Sequence, residues 1–461
     1  MGSDISRELR SIREAVNAVT QPTSAESRAV QYALVSVNRA YRPLSQIRVS
    51  PELVASLPVD ASREEQDRAA RERFWLFNEK ALAVIMEVLS KDLPASYRTQ
   101  RTAMPYEDAT PNPQLLLDAG RLSMEEDHPQ QAFRYCMAGL RLARCFASQN
   151  VFANWVVGRE RQAEILQSLV EWSNHEDVTR EMLLAAINQT RDELSRYPTL
   201  REASAAEFVL GFDSMRWMRQ HWNNPDDPTS LRFAKRVVEP FLTHEFARMM
   251  RENEQRLYWR WHLYGSLEGT MQIPGFNVYQ QLHSQNDRLG QRGGLDQELL
   301  GGVFQPGGYL TRFGADLFGI VISCEAVNRQ ALLALALALW KKEHGGALPD
   351  SLADLAPYCV ISKQSEPTRV LPVMALNDPW TGALFRYSAM KRGADESNEP
   401  DSLDPVVLVL SAGSTIANRA TITATNTATD SGIAFGDESA VISIQSFGGR
   451  LSLWFPLRPQ R

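Results

Sequence analysis

The chain has 461 residues, 44% of them hydrophobic, and only four cysteines. That length and composition fit two or three folded domains with real cores, not a disulfide-stapled scaffold. The net charge of −6 and a pI near 5.8 leave no clustered basic face, so no nucleic-acid partner is expected.

In chain order, residues 1–19 are charged and amphipathic, with no uninterrupted apolar stretch. The chain as given is therefore expected to carry no signal peptide or anchor; membrane association would need an anchor upstream, and without one the location is cytoplasmic. Thr23 and Ser24 predict the cap of a helix running to Tyr41. After a loop carrying Pro43, Pro51 and Pro58, Asp60 to Ser62 open a long charged helix. Phe74, Trp75, Phe77, Leu82 and Ile85 enter that helix at helical spacing. Leu93 to Pro113 is a proline-rich connector.

Leu115 to Leu122, an acidic turn, and Ala132 to Ala143 predict an αα-hairpin similar to the tetratricopeptide kind. Val151 to Trp172, Asp177 to Tyr197 and Leu200 to His221 predict further helices, giving an irregular helical bundle or solenoid. Cys136 and Cys145 lie nine residues apart in one apparent helix, too far to bridge, and most of the four cysteines read as small buried apolar residues.

The densest aromatic cluster is Leu257 to Tyr264, where Trp259, Trp261 and Tyr264 are the candidate binding residues. They suit a stacking platform for a sugar or peptide, but the favoured reading is an interdomain core with polar ring ends at its edge. Gly265 to Gly314 is glycine-rich, but no Gly-Lys-Ser/Thr follows, so no phosphate-cradling loop is expected.

Ala331 to Trp340 is apolar on every side. Ten such residues are too short for a bilayer, and Glu325, Asn328, Arg329 and Gln330 interrupt any longer span. The reading is a helix buried between protein layers. Lys341 and Lys342 oppose its dipole, and Gly345-Gly346 end it. Asp350 is the expected cap of a short following helix, and Asp378-Pro379-Trp380-Thr381-Gly382 is a turn. From Ala383 to Ser388 side chains alternate as in a strand, and further strands are expected at Val406 to Ser411, Ala440 to Ser446 and Arg450 to Phe455.

This order resembles the globular part of the major pseudopilins of type II secretion. The residues that carry the likeness are Leu348-Pro349-Asp350-Ser351-Leu352 with Leu355, the Asp378 to Gly382 turn, and Leu410-Ser411-Ala412-Gly413. Together they cover roughly the last third of the chain. The resemblance extends to large bacterial envelope proteins of unassigned function in which a helical region precedes such an end. It implies a cell-envelope location and an α+β fold: a mainly α-helical domain over 1–310, then a pseudopilin-like helix with a small antiparallel sheet over 311–461. The family's calcium loop would fall near Asp430 and Asp437, so calcium is the one cofactor implied, with those two residues as its ligands.

Catalytic signals are sparse. His244-Glu245 lacks the second histidine of a zinc helix, and no Gly-x-Ser-x-Gly elbow occurs. The expectation is a non-enzymatic structural or protein-interaction component with an unknown protein partner. The rivals are a glycan-acting hydrolase using the aromatic cluster with Glu245 or Glu268, and a helical-repeat adaptor.

Overall fold

The computed structural model describes the chain mainly over residues 25–58, 60–90, 113–147, 152–202, 314–366, 369–379 and 384–390, with shorter stretches elsewhere. Its helices are α1 (Ala25–Ala40), α2 (Leu44–Arg48), α3 (Pro51–Ser56), α4 (Arg63–Ser90), α5 (Gln114–Glu125), α6 (Pro129–Ala147), α7 (Phe152–Ser173), α8 (Arg180–Ser195) and α9 (Gly314–Glu343).

Local chemistry sets the helix starts. Ser62 and Glu65 form a reciprocal cap at α4: the Ser62 N–H donates to Glu65 Oε2 at 2.8 Å, and the Glu65 N–H donates to Ser62 Oγ at 3.2 Å. Thr179 caps α8 by accepting from the Met182 N–H. Along α4, Ala70, Phe74, Asn78, Ala81, Leu82, Ile85 and Leu89 recur three or four residues apart and are buried. Asn78 is polar yet fully buried because its amide is used: it accepts from the Arg42 N–H and donates to the Arg42 and Phe74 carbonyls.

Helices α5 and α6 make the hairpin the sequence predicts, turning at Asp127, whose φ of 56° lies in the left-handed region. Helix α6 is the middle layer. Tyr135, Ala138 and Leu142 join a core with α1, α4 and α5, while Ala132, Cys136, Met137, Leu140 and Ala143 join a second core with α7, α8 and α9. Small residues let α7 approach closely. A Cβ on Gly158 would sit 2.8 Å from Ala147 Cβ and 2.9 Å from the Ala143 carbonyl oxygen.

Helix α9 is the rod the sequence announces. Leu332, Leu333, Leu335, Ala336 and Leu339 have no exposure at all. By length and composition Val321–Glu343 is apolar enough to cross a membrane, yet 89% of its most apolar window is buried inside the protein. Within it a polar belt is partly satisfied: Arg329 Nε donates to Glu325 Oε1 at 3.1 Å and Nη1 donates to the Asn377 carbonyl at 2.7 Å, while its buried Nη2 has no hydrogen-bond partner among the described residues. Its C-terminal end is bolted to the α7–α8 turn region. Arg180 pairs with Glu343 at 2.7 Å, and Lys342 Nζ donates to the Glu176 carbonyl at 3.0 Å. Gly345 and Gly346 then take φ of 60° and 91°, as the stop signal requires. The cap of the next turn (Leu352–Tyr358, a 3₁₀ helix) is Ser351, one residue beyond the expected Asp350, in a capping box with Asp354.

The α+β expectation is overturned. The packed core is helical, and among the described residues no small antiparallel sheet is laid on α9. Beyond Cys359 strands pair only two at a time, Val360–Glu366 with Arg369–Met374, Arg386–Met390 with Val406–Leu410, Ala428–Thr429 with Gly432–Ile433, and Ser439–Ser446 with Gly449–Pro456, and among the described residues no pair joins another. Alternation along a segment reports that one of its faces is apolar; it carries no information on which strands lie side by side. A two-stranded ribbon alone is marginal, so such pairs do not define a layer. The alternation survives locally, with Phe385 buried and Leu384 exposed.

Candidate functional site

Among the described residues a concavity opens between α4, α6 and α8. It has a volume of about 470 Å³. Met86, Leu89 and Ser90 come from α4, Phe133, Met137 and Ala138 from α6, and Met182 and Ala185 from α8. Each of the three helices thus contributes a methionine to an apolar floor. Gln130, Arg134, Arg141, Glu181 and Gln189 form the polar rim.

The frame around this groove is rigid. Phe133 stacks on Trp172 with ring centroids 5.1 Å apart, and Trp172 Nε1 donates to the Pro129 carbonyl at 2.7 Å. Arg141 ties all three groove helices together. It projects from α6, donates through Nη1 to the Leu89 carbonyl of α4 at 3.1 Å, and through Nε to Glu193 Oε1 of α8 at 3.2 Å. The other oxygen of Glu193 accepts from Arg144 Nε at 2.8 Å. Glu193 is 95% buried, a charge that is tolerable only because two guanidiniums meet it.

Elsewhere the polar groups hold structure. Arg159, buried in α7, lies over the Tyr197 ring at 3.9 Å and the Trp155 ring at 5.0 Å. Burial pushes the thiols of Cys136, Cys324 and Cys359 up to about 12, so none is a nucleophile near neutrality. All four cysteines are free and buried, as their pattern suggested. The Tyr41 hydroxyl is also raised, first by burial and then by its 2.7 Å hydrogen bond to Asp118.

In the turns between α5 and α6 and between α7 and α8, His175 sits between two carboxylates. Its Nε2 lies 3.7 Å from Asp127 and its Nδ1 3.8 Å from Asp177. One ligand atom from each of the three can be chosen within 4.8 Å of the others. Both ring nitrogens face carboxylates, which is the arrangement an imidazole takes between two anions.

Trp259, Trp261 and Tyr264, the rival acids Glu245 and Glu268, and the calcium candidates Asp430 and Asp437 all lie outside the described residues. Within the aromatic cluster, Tyr258 and His262 are described and meet edge to face at 4.4 Å. The groove residues were missed because a methionine at a helical core position looks like any other core residue. The available signal was the recurrence of Met86, Met137 and Met182, one on each of three separate helices.

No protein-family model, no curated protein and no solved structure matches this chain.

Proposed function

We propose that this chain is a helical interaction protein that seats an apolar part of a partner protein between α4, α6 and α8. The observation that carries the reading is the floor of the groove. Three methionines, one from each wall, line an apolar recess held open by the Arg141–Glu193 tie. Unbranched, polarizable side chains adapt to more than one apolar shape, which is why methionine is favoured on surfaces that receive peptide side chains. The polar rim of Gln130, Arg134, Glu181 and Gln189 gives the ring of solvated contacts that surrounds an apolar anchor site. A photo-crosslinking residue in place of Gln189, compared with one at exposed Glu164 on α7, tests this in the source cell. A discrete adduct at 189 and none at 164 supports the reading; identical adducts at both positions, or none at either, rejects it.

The cell envelope is the location we propose, supported by the likeness of the Leu348 to Gly382 punctuation to pseudopilins. The Ser351–Asp354 capping box, and the Gly382 N–H donating to the Asp378 carbonyl at 2.7 Å, give that punctuation its structural content. Fractionation of source cells checks it: the chain should travel with envelope markers, and recovery wholly with cytosolic markers overturns the location.

A further inference from the structure

We infer that Asp127, His175 and Asp177 form a binding site for a divalent transition-metal ion of the zinc class, which staples the α5–α6 turn to the α7–α8 turn. The site is separate from the groove and does not depend on what docks there. One oxygen from each aspartate and one nitrogen of His175 lie within 4.8 Å of one another. Metal–ligand bonds of about 2.0–2.2 Å set ligand atoms roughly 3.3–3.5 Å apart around a tetrahedral ion. On either ring nitrogen the nearer carboxylate is almost at that span: Nε2 is 3.7 Å from Asp127 Oδ1, and Nδ1 is 3.8 Å from Asp177 Oδ2. The ion takes one nitrogen. The Asp177 N–H lies 3.4 Å from Nδ1, a long contact at an exposed turn that leaves either nitrogen open to it. The second carboxylate closes by rotating its side chain, which is 79% exposed in Asp127 and 57% in Asp177.

The backbone beneath these three side chains is already fixed. Trp172, three residues before His175, donates through Nε1 at 2.7 Å to the carbonyl of Pro129, two residues after Asp127, so the two turns are bonded to each other. Asp127 is held at a φ of 56°, and the next N–H, that of His128, donates to the Ser123 carbonyl at 2.7 Å. The α7–α8 turn is pinned from its other side by Lys342 on the Glu176 carbonyl and by the Arg180–Glu343 pair. An ion binding here therefore orders side chains only, which keeps the entropic cost low. Among the described residues no Lys or Arg pairs with Asp127 or Asp177, so their charges converge on a single imidazole. A divalent cation neutralises both. The donor set decides its class: calcium and magnesium take oxygen ligands, whereas a nitrogen joined to two carboxylates suits zinc and its neighbours, with water completing the coordination. Because the ligands come from two turns that separate on unfolding, the ion favours the folded chain.

The test titrates zinc chloride into the metal-stripped full-length chain in competition with a chromogenic chelator, and follows thermal unfolding with and without zinc. One zinc ion should bind per chain with a Kd on the order of micromolar or tighter, and the thermal midpoint should rise on binding. His175→Gln, Asp127→Asn and Asp177→Asn should each weaken binding at least about tenfold. Asparagine tolerates the left-handed backbone at 127, and circular dichroism confirms that each variant keeps its helix content. His128→Gln should leave the affinity unchanged, and equal concentrations of calcium or magnesium should not displace zinc. No zinc binding, or zinc bound equally by every variant, overturns the site and leaves His175 as an imidazole set between two carboxylates. A loss on His175→Gln but on neither aspartate variant, or an equal loss on His128→Gln, overturns the three-ligand assignment. Zinc bound without a rise in the midpoint overturns the staple, and displacement by calcium overturns the class of ion.

Discussion

Replacing Glu193 by Gln tests whether the groove is held open by a buried ion triad. Glu193 accepts from Arg144 Nε at 2.8 Å and Arg141 Nε at 3.2 Å, with side-chain exposures of 5% for Glu193, 12% for Arg144 and 40% for Arg141. A charge-assisted hydrogen bond contributes about 1.5–3 kcal/mol. The Arg144 contact is desolvated and counts nearly in full, while the Arg141 contact is discounted for solvent screening. Glutamine keeps one acceptor oxygen but removes the carboxylate charge that Arg141 and Arg144 share. The expected loss is about 2–3 kcal/mol. Glu164→Gln is the internal control, since its pair with Arg161 is 39% and 45% exposed and contributes under about 0.5 kcal/mol. Urea unfolding followed by far-UV circular dichroism measures both. Losses that agree within about 0.5 kcal/mol would refute the argument, because burial would then make no difference to the carboxylate.

Other outcomes follow from the same packing. Gly158→Ala should cost about 1–3 kcal/mol, because its Cβ would meet the Ala143 carbonyl oxygen at 2.9 Å. Gly139→Ala should cost less, since its nearest neighbour is the flexible end of Ile165 at 3.0 Å; thermal unfolding of the two variants should rank them so. Thr179→Ala removes the oxygen that accepts from the Met182 N–H and should lower stability by about 1 kcal/mol in the same urea assay. Burial raises the thiols of Cys136, Cys324 and Cys359 from 9.0 to about 12 in the folded chain. The folded state then holds more protons than the unfolded one above pH 9, so stability present below that pH falls as pH rises toward 12. Thermal midpoints should drop between pH 8 and 10.5, and replacing the three by Ala should flatten that slope; an unchanged slope would rule the thiols out as its source.

Much of the helical frame could be read from the residues because its signals are local. Asp60 to Ser62, the acidic turn before Pro129, and Gly345-Gly346 each fix a boundary within a few residues of themselves. The rod at Ala331 to Leu339 was equally plain, since a helix apolar on all sides leaves burial as its one arrangement in water. The sheet failed because lateral strand order depends on contacts distant in sequence, which a period of two cannot encode. The groove was illegible for a related reason. Met86, Met137 and Met182 are separated by tens of residues, and their convergence depends on how three helices splay around Arg141 and Glu193. Glu193 itself falls in an ordinary charged stretch, and nothing in its neighbours distinguishes a buried tie from a solvated face.

Helix α9 is a protein-buried spine against which α7 and α8 are packed. Hydrogen exchange of the backbone amides of residues 331–339, in buffer without lipid or detergent, tests it most directly. The account predicts that these amides exchange among the slowest in the chain, opening only with global unfolding. Fast exchange in buffer, with protection appearing only when lipid vesicles are added, would contradict it.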